Sequence, residues 1–273
     1  MKAFYTKSII FFVLIISLFE SCSPKPYSLA NKLYKKQTKE LVKQIQQKPF
    51  NDSLNTAKNG VGTTNFNLRK PNFVIIHHTA QNSCEQTLNT FTTQKSQVSA
   101  HYVICKDGTI HHMLNDYLRA WHGGIAKWGN NTDINSSSIG IEIDNNGFEK
   151  FTDEQINSLL HLLTKLKKNH AIPMANFIGH ADIAPGRKVD PNVTFPWKQL
   201  SEKGFGNWYG DTANIVIPQT FEPKIALRII GYDVSNLQNA IAAFKRHFMQ
   251  IDKSKELSDA DKKVLYATMM KFL

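Results

Sequence analysis

Cysteine is scarce, three in 273 residues, which is too few for a scaffold held by disulfides. Long apolar runs are scarce as well. The single uninterrupted one lies at the start of the chain, which excludes a multispan transporter. There is no internal repeat, and no basic–aromatic stripe of the kind that tracks a nucleic acid. With 41% hydrophobic and 20% charged residues, the composition is that of a globular protein, not a disordered or fibrous one. The length allows one or two domains. What the chain has in excess is positive charge, formally +11, and it is spread unevenly. Residues 51–222 balance fifteen basic against fifteen acidic groups, so the surplus sits in the flanks, 23–48 and 223–273. Basic flanks suit an anionic surface through long-range attraction that salt weakens. Solvated helix faces account equally well for many of these lysines.

Lys2 and Lys7 precede a mostly apolar run over residues 8–19. A basic head and a short apolar segment fit an export signal better than a spanning helix. The run closes in Leu18-Phe19-Glu20-Ser21-Cys22. This resembles a bacterial lipoprotein signal, which implies cleavage before Cys22 and a lipid on that residue, the membrane attachment of the chain. Glu20 departs from the usual pattern, and an uncleaved anchor or a plain signal peptide are the other readings. All three put the rest of the chain outside the cytoplasm, where nucleic acid is a poor partner. Ser23 follows Cys22 where an Asp would retain a lipoprotein at the inner membrane. By the same resemblance the expected location is the outer membrane, facing the periplasm.

Residues 28–47 read as a helix, with Leu33, Leu41, Val42 and Ile45 at helical spacing and lysines opposite. Such a face suits either a membrane surface or packing on the next domain. Residues 51–64 are polar and rich in Gly and Asn, a linker. Residues 71–79 read as a buried strand: four apolar residues, then two histidines. A helix is expected over 85–95. Strands over 101–105 and 109–113 flank Lys106-Asp107-Gly108, a hairpin signal. Ser138–Ile143 reads as a strand. Residues 152–169 read as a helix opened by a capping box, Thr152 to Gln155, with Ile156, Leu159, Leu160, Leu163 and Leu166 as its stripe. Another short strand is expected over 176–178. The alternation predicts an α/β fold, a mixed central β-sheet flanked by helices. Beyond a Gly-, Pro- and aromatic-rich stretch, Ser235 and Ser258 read as N-caps. They open helices striped by Leu237, Ile241, Phe244 and Phe248, and by Leu265, Met269 and Phe272. With a shorter helix over 224–230 these make a small C-terminal helical unit. A unit of 51 residues buries little by itself, so it is expected to dock on the larger domain.

Chemistry concentrates in two places. One is His77-His78 at a strand end; the other is the stretch from Gly179-His180 to Asp190-Pro191. Two imidazoles and one carboxylate match the three protein ligands of a catalytic zinc. A buried histidine is also often structural, and the spacing is not a compact motif, so the residues alone leave both readings open. Strand alternation puts Ile139, Ile141 and Ile143 on one face and Gly140, Glu142 and Asp144 on the other. Gly140 leaves room beside Glu142. An ordinary solvated strand face is the plainer alternative.

Several blocks in order resemble the zinc-dependent N-acetylmuramoyl-L-alanine amidases, a family similar to phage amidase lysozymes and animal peptidoglycan recognition proteins. They are VIIHHTA from Val74, VSAHYVI from Val98, Asp107-Gly108, RAWHGG from Arg119, SIGIEI from Ser138, and the stretch from His180 to Pro191. The resemblance covers residues 72–197 and implies one catalytic Zn2+ held by His77, His180 and Asp190. His77, not His78, stands at the family position, and strand neighbours face opposite ways. The resemblance implies Glu142 as general base and Lys188 as the charge that stabilises the oxyanion. It implies Trp121 and His122 in the substrate groove, with His101 either there or buried as a structural residue. Arg187 is a structural candidate. The implied reaction is hydrolysis of the amide between the muramic acid lactyl group and L-alanine of the stem peptide. Zinc would lower the pKa of a water towards ~7, and Glu142 would carry its proton to the departing nitrogen. The implied partners are peptidoglycan or muropeptides, met by a monomer. Ala100 stands where some phage relatives have Tyr, which leaves the proton work to Glu142. Gly123 stands where the family more often has Ala.

The C-terminal helices resemble the peptidoglycan-binding unit of lipoprotein members, around Phe244-Lys245-Arg246-His247-Phe248. The expected plan is therefore 1–21 signal peptide, 22–64 anchored basic helix and linker, 65–203 catalytic domain, 204–222 linker, and 223–273 three-helix unit. The competing reading is a non-catalytic peptidoglycan-binding protein on the same fold. Inactive relatives commonly lack the third ligand, and here Asp190, Glu142 and Lys188 are all present. An envelope adaptor acting through basic helices leaves the His/Glu/Asp set unexplained. Cys84 and Cys105 are either a disulfide, as an oxidising compartment allows, or two buried thiols.

Overall fold

A computed structural model describes residues 25–46, 63, 65, 67–250 and 254–273. The expected signal segment, Cys22 and nearly all of the 51–64 linker lie outside the described residues. The chain falls into two units, Met1–Thr63 and Thr64–Leu273. In the first, α1 (Ser28–Gln46) has no buried residue. Leu29, Leu33, Leu41, Val42 and Ile45 are all exposed along it. Among the described residues no helix is long and apolar enough to cross a membrane.

The second unit is built on a five-stranded sheet. The strands are β1 (Phe73–His78), β2 (Tyr102–Ile104), β3 (Ile110–His112), β4 (Ser138–Ile143) and β5 (Phe177–Gly179). Their order is β3-β2-β4-β1-β5. All neighbours are parallel except the β2–β3 hairpin. The helices are α2 (Cys84–Thr92), α3 (Ile134–Ser137), α4 (Asp153–His170), α5 (His180–Ile183), α6 (Trp197–Glu202), α7 (Pro223–Ile230), α8 (Leu237–Met249) and α9 (Asp259–Met269).

The central strands read as continuous apolar runs because both faces of a parallel sheet are covered. On one face Val74, Ile76, Ile139, Ile141 and Ile143 pack with Leu159, Leu162, Leu163 and Leu166 of α4. On the other, Ile75, Ile178 and Ile183 pack with Ala226 and Leu227 of α7, Ile241 and Phe244 of α8, and Leu265 of α9. The C-terminal helices are thus the second layer over the sheet and share a core with it. The sequence expectation of docking is met, but the packing is that of one compact unit.

Local signals read well. The capping box is present, with Thr152 accepting from the Gln155 N–H and Gln155 reaching back. In the hairpin, Cys105 N–H donates to Thr109 at 2.9 Å. There Gly108 has φ +81° and lies so close to α4 that a Cβ would stand 2.9 Å from the Glu154 carbonyl oxygen, which only glycine permits. Cys84 and Cys105 form a disulfide, tying the start of α2 to the residue after β2. Two details differ from expectation. The cap of α8 is Asn236, which accepts from the Asn239 N–H, whereas the Ser235 hydroxyl donates to Asp233 at 3.1 Å. Leu162 of α4 is buried, and Leu160 only partly so.

Candidate active site

Parallel sheets bind ligands outside the carboxyl ends of their strands. Here β1, β4 and β5 deliver His77, Glu142 and His180 to that end. The β1–β4 register pairs His77 with Glu142, so both side chains leave the same face. His180 opens α5 directly after β5. Asp190 is brought back by its carbonyl, which accepts the Ala181 N–H at 2.7 Å.

The three groups converge. His77 Nδ1 lies 2.9 Å from His180 Nδ1 and 3.0 Å from Asp190 Oδ2, and His180 Nδ1 lies 2.9 Å from the same oxygen. All three residues are buried. Tetrahedral zinc with ligand bonds of ~2.0–2.1 Å separates its ligand atoms by about 3.3 Å. The triangle is one slightly contracted face of that tetrahedron. The chemistry of the donors fits too. His180 Nε2 is 3.1 Å from the Gly123 carbonyl, an oxygen that only accepts, so Nε2 carries a proton and Nδ1 is the nitrogen turned to His77 and Asp190. Two imidazole nitrogens and a carboxylate oxygen meeting at this distance suit a cation between them.

Burial, then the neighbouring His180, pushes His77 down to about 4 against the pull of Asp190. Burial pushes the Asp190 carboxyl up, but the two histidines outweigh it and hold the group well below the usual carboxylate range. Glu142 behaves oppositely. Burial first and the Asp190 charge second push it up to about 8, with Lys188 pulling the other way. Its Oε1 is 4.0 Å from His77 Nδ1. Its Oε2 is buried without a hydrogen-bond partner. A carboxyl group held this way, near neutrality beside a metal-type donor set, has the properties of a proton carrier. Lys188 is half-buried, and its charge acts on both Glu142 and His77.

The other expected residues are placed differently. His78 leaves the opposite face, where its Nδ1 accepts the Asn192 N–H at 3.1 Å. Trp121 is about half exposed. His122, expected in the substrate groove, is buried behind His77, its Nδ1 3.0 Å from His77 Nε2. His101 takes the structural arrangement of the two left open: it is fully buried, accepts the Gly140 N–H at Nδ1 and faces the Leu118 carbonyl with Nε2. Gly140 makes room for His122, not for Glu142; a Cβ there would stand 2.4 Å from the His122 ring. Arg187 is structural, donating to the carbonyls of Gly123 and Ile125. Sequence reasoning missed Asp182. It accepts the Gly179 N–H at 2.7 Å and the Tyr232 hydroxyl at 2.8 Å, and pairs with His247 Nδ1 at 2.7 Å. The signal available was its place two residues after His180.

Sheet and site together define a class: a mixed α/β protein with three residues that could hold a metal ion and a buried carboxyl group beside them. Residues 67–193 match the family described as N-acetylmuramoyl-L-alanine amidase. It is 36% identical over 151 residues to the N-acetylmuramoyl-L-alanine amidase AmiD of Escherichia coli, covering 50% of this chain and 54% of that protein. It is 36% identical over 104 residues to the 1,6-anhydro-N-acetylmuramyl-L-alanine amidase AmpD of Haemophilus influenzae, covering 38% of this chain and 56% of that one. The chain therefore spans about half the length of these curated relatives. The structure of E. coli AmiD with anhydro-N-acetylmuramic acid-L-Ala-D-gamma-Glu-L-Lys superposes with a TM-score of 0.67 at 28% identity, over 77% of this chain and 93% of that one. AmpDh3 of Pseudomonas aeruginosa with an anhydromuramic pentapeptide gives 0.68 at 28% identity, over 80% and 99%.

Proposed function

We propose that this protein is a zinc-dependent N-acetylmuramoyl-L-alanine amidase. Its substrate would be the amide between the muramic acid lactyl group and L-alanine of the peptidoglycan stem peptide. The observation that carries the reading is the convergence of His77, His180 and Asp190 beside the unpartnered carboxyl of Glu142. The muropeptides held by AmiD and AmpDh3 support the ligand class. When bound, zinc supplies Lewis-acid polarisation and a water acidified towards pKa ~7. His77, His180 and Asp190 would hold it. Glu142 takes the proton of the attacking water and returns it to the departing nitrogen of L-alanine. Lys188 offers N–H donors and a charge where the carbonyl oxygen becomes anionic.

The test is a digest of purified peptidoglycan and soluble muropeptides, read by mass spectrometry, with zinc, with chelator and with Glu142→Gln. Release of free stem peptides that stops with chelator and with the substitution supports the amidase. Wall binding without cleavage under every zinc condition overturns it and leaves the non-catalytic binding protein. The proposal extends to the envelope: a lipid on Cys22, the outer membrane, and a monomer whose lysine-rich α1 favours an anionic surface. Radiolabelled palmitate incorporation lost in Cys22→Ala, together with membrane fractionation, tests that part.

A further inference from the structure

We propose that Ser138 and His122 form a one-way hydrogen-bond relay that fixes the tautomer of His77 and thereby positions its Nδ1 as a metal ligand. This rests on the metal site of the proposed function. It adds two positioning residues that themselves touch neither metal nor substrate.

The relay follows from which atoms can donate. Ser138 Oγ is 2.6 Å from the Ile134 carbonyl and 3.1 Å from His122 Nε2. A carbonyl only accepts, so the single hydroxyl proton goes to Ile134. Ser138 Oγ then faces His122 as an acceptor, and His122 Nε2 must carry a proton. A neutral imidazole carries one N–H. With that one on Nε2, facing Ser138 Oγ, His122 Nδ1 is bare. That bare nitrogen is 3.0 Å from His77 Nε2, which therefore donates. A histidine that ligates a metal does so as the neutral ring, so with the His77 proton on Nε2 its Nδ1 keeps a free lone pair aimed at His180 and Asp190. Reversing any link sets two donors or two acceptors face to face.

The ring of His122 is held so that the relay cannot swing away. It lies over Gly140, where a Cβ would stand 2.4 Å from it, and the backbone N–H of His122 donates to Asn135 Oδ1 at 3.2 Å. The two ligand histidines are thus set by different devices. The Gly123 carbonyl sets His180 directly. Replaceable side chains set His77, so substitutions at Ser138 act on one ligand alone. Outer partners of metal-bound histidines typically contribute 10–100-fold in metal affinity.

The test uses the full chain and reads metal affinity and ring protonation, not turnover. Zinc affinity is measured by competition with a chromogenic chelator. Ring protonation is read from long-range 1H–15N correlation spectra of the zinc-free protein at neutral pH. The wild type is expected to show His77 protonated at Nε2 and bare at Nδ1. Ser138→Ala frees His122 to take either tautomer; it is expected to mix the His77 pattern and weaken zinc binding ~10–100-fold. Ser138→Thr keeps the hydroxyl and restores both readouts. His122→Asn places an amide oxygen where Nδ1 stood and retains most of the affinity, whereas His122→Leu does not. Equal zinc affinity and an unchanged ring pattern in Ser138→Ala overturn the relay. A proton on His77 Nδ1 in the wild type overturns it as well, even if Ser138→Ala fails to fold. If the wild type takes up no zinc, the metal reading fails, and the ring spectra alone decide the relay.

Discussion

At the scale of single residues the site is a set of groups kept out of their preferred surroundings. Glu142 Oε2 is buried without a partner, a cost of ~1–3 kcal/mol or more for a polar group. Glu142→Gln removes the proton carrier and also the repulsion from Asp190. The expected outcome is activity lower by at least ~10², zinc uptake retained and a melting temperature no lower than wild type; turnover and calorimetry on the same preparation check it. His101 gives a pH effect of definite sign. Burial pushes it down to about 4 from its ordinary 6.5, and its Nδ1 must stay bare to accept the Gly140 N–H. Folding therefore gains from the neutral ring fully above pH 6.5, and loses that gain as pH falls towards 4, up to about 3 kcal/mol. His101→Asn keeps an acceptor and cannot protonate. Its stability difference from wild type in urea melts is expected to shift in its favour between pH 6.5 and 4, and parallel curves would count against it. His77, His180, Asp190 and Glu142 were legible through the family resemblance, with strand alternation, a local property, supporting Glu142 and the choice of His77 over His78. The roles of His101 and His122 were not legible, since they depend on the long loop that lays His122 across Gly140.

Among the elements, what one segment decides alone was readable: the buried run of β1, the capping box of α4, the glycine of the hairpin. What needs two segments was not. Ser235 and Asn236 are both competent caps, and the choice went to the residue whose side chain reaches Asn239, while Ser235 turned to Asp233. The pairing of Cys84 with Cys105 depends on α2 landing beside β2, with Cα atoms 5.2 Å apart and 21 residues between them in sequence. Closing a loop of that size restricts the unfolded chain by about 3 kcal/mol. The double substitution Cys84→Ser with Cys105→Ser is expected to lower stability by roughly that amount. Neither sulfur belongs to the His77 site, so the rate at 25 °C stays as it was. Equilibrium denaturation beside a turnover assay checks both halves, and a rate falling in step with stability would contradict the separation.

For the whole molecule the question is whether the C-terminal helices are an appended binding unit or part of the catalytic fold. Two observations favour the second. Ile75, Ile178 and Ile183 share one buried core with residues of α7, α8 and α9, beside Ala126, Trp128 and Ile134. Each such side chain contributes ~1.5–3 kcal/mol when buried, and three of them are a large share of a domain stability of ~5–15 kcal/mol. The helices also grip the metal-ligand segment itself. His247, stacked on Trp197 at 3.9 Å, and Tyr232 both hold Asp182, whose other bond fixes the Gly179 N–H just before His180. A chain ended after Glu222 is therefore expected to lose its cooperative melt and its activity on small soluble muropeptides together. His247→Ala, which keeps every helix but leaves Asp182 short of a buried hydrogen-bond partner, is expected to lower stability by about 1–3 kcal/mol and to weaken zinc binding through His180. A detachable wall-binding unit would behave otherwise: truncation would spare soluble muropeptides and the melt, and reduce only retention on intact peptidoglycan. Calorimetry, a soluble-substrate assay and wall sedimentation on the two variants separate these outcomes, because only a shared core makes folding, zinc affinity and turnover fall together.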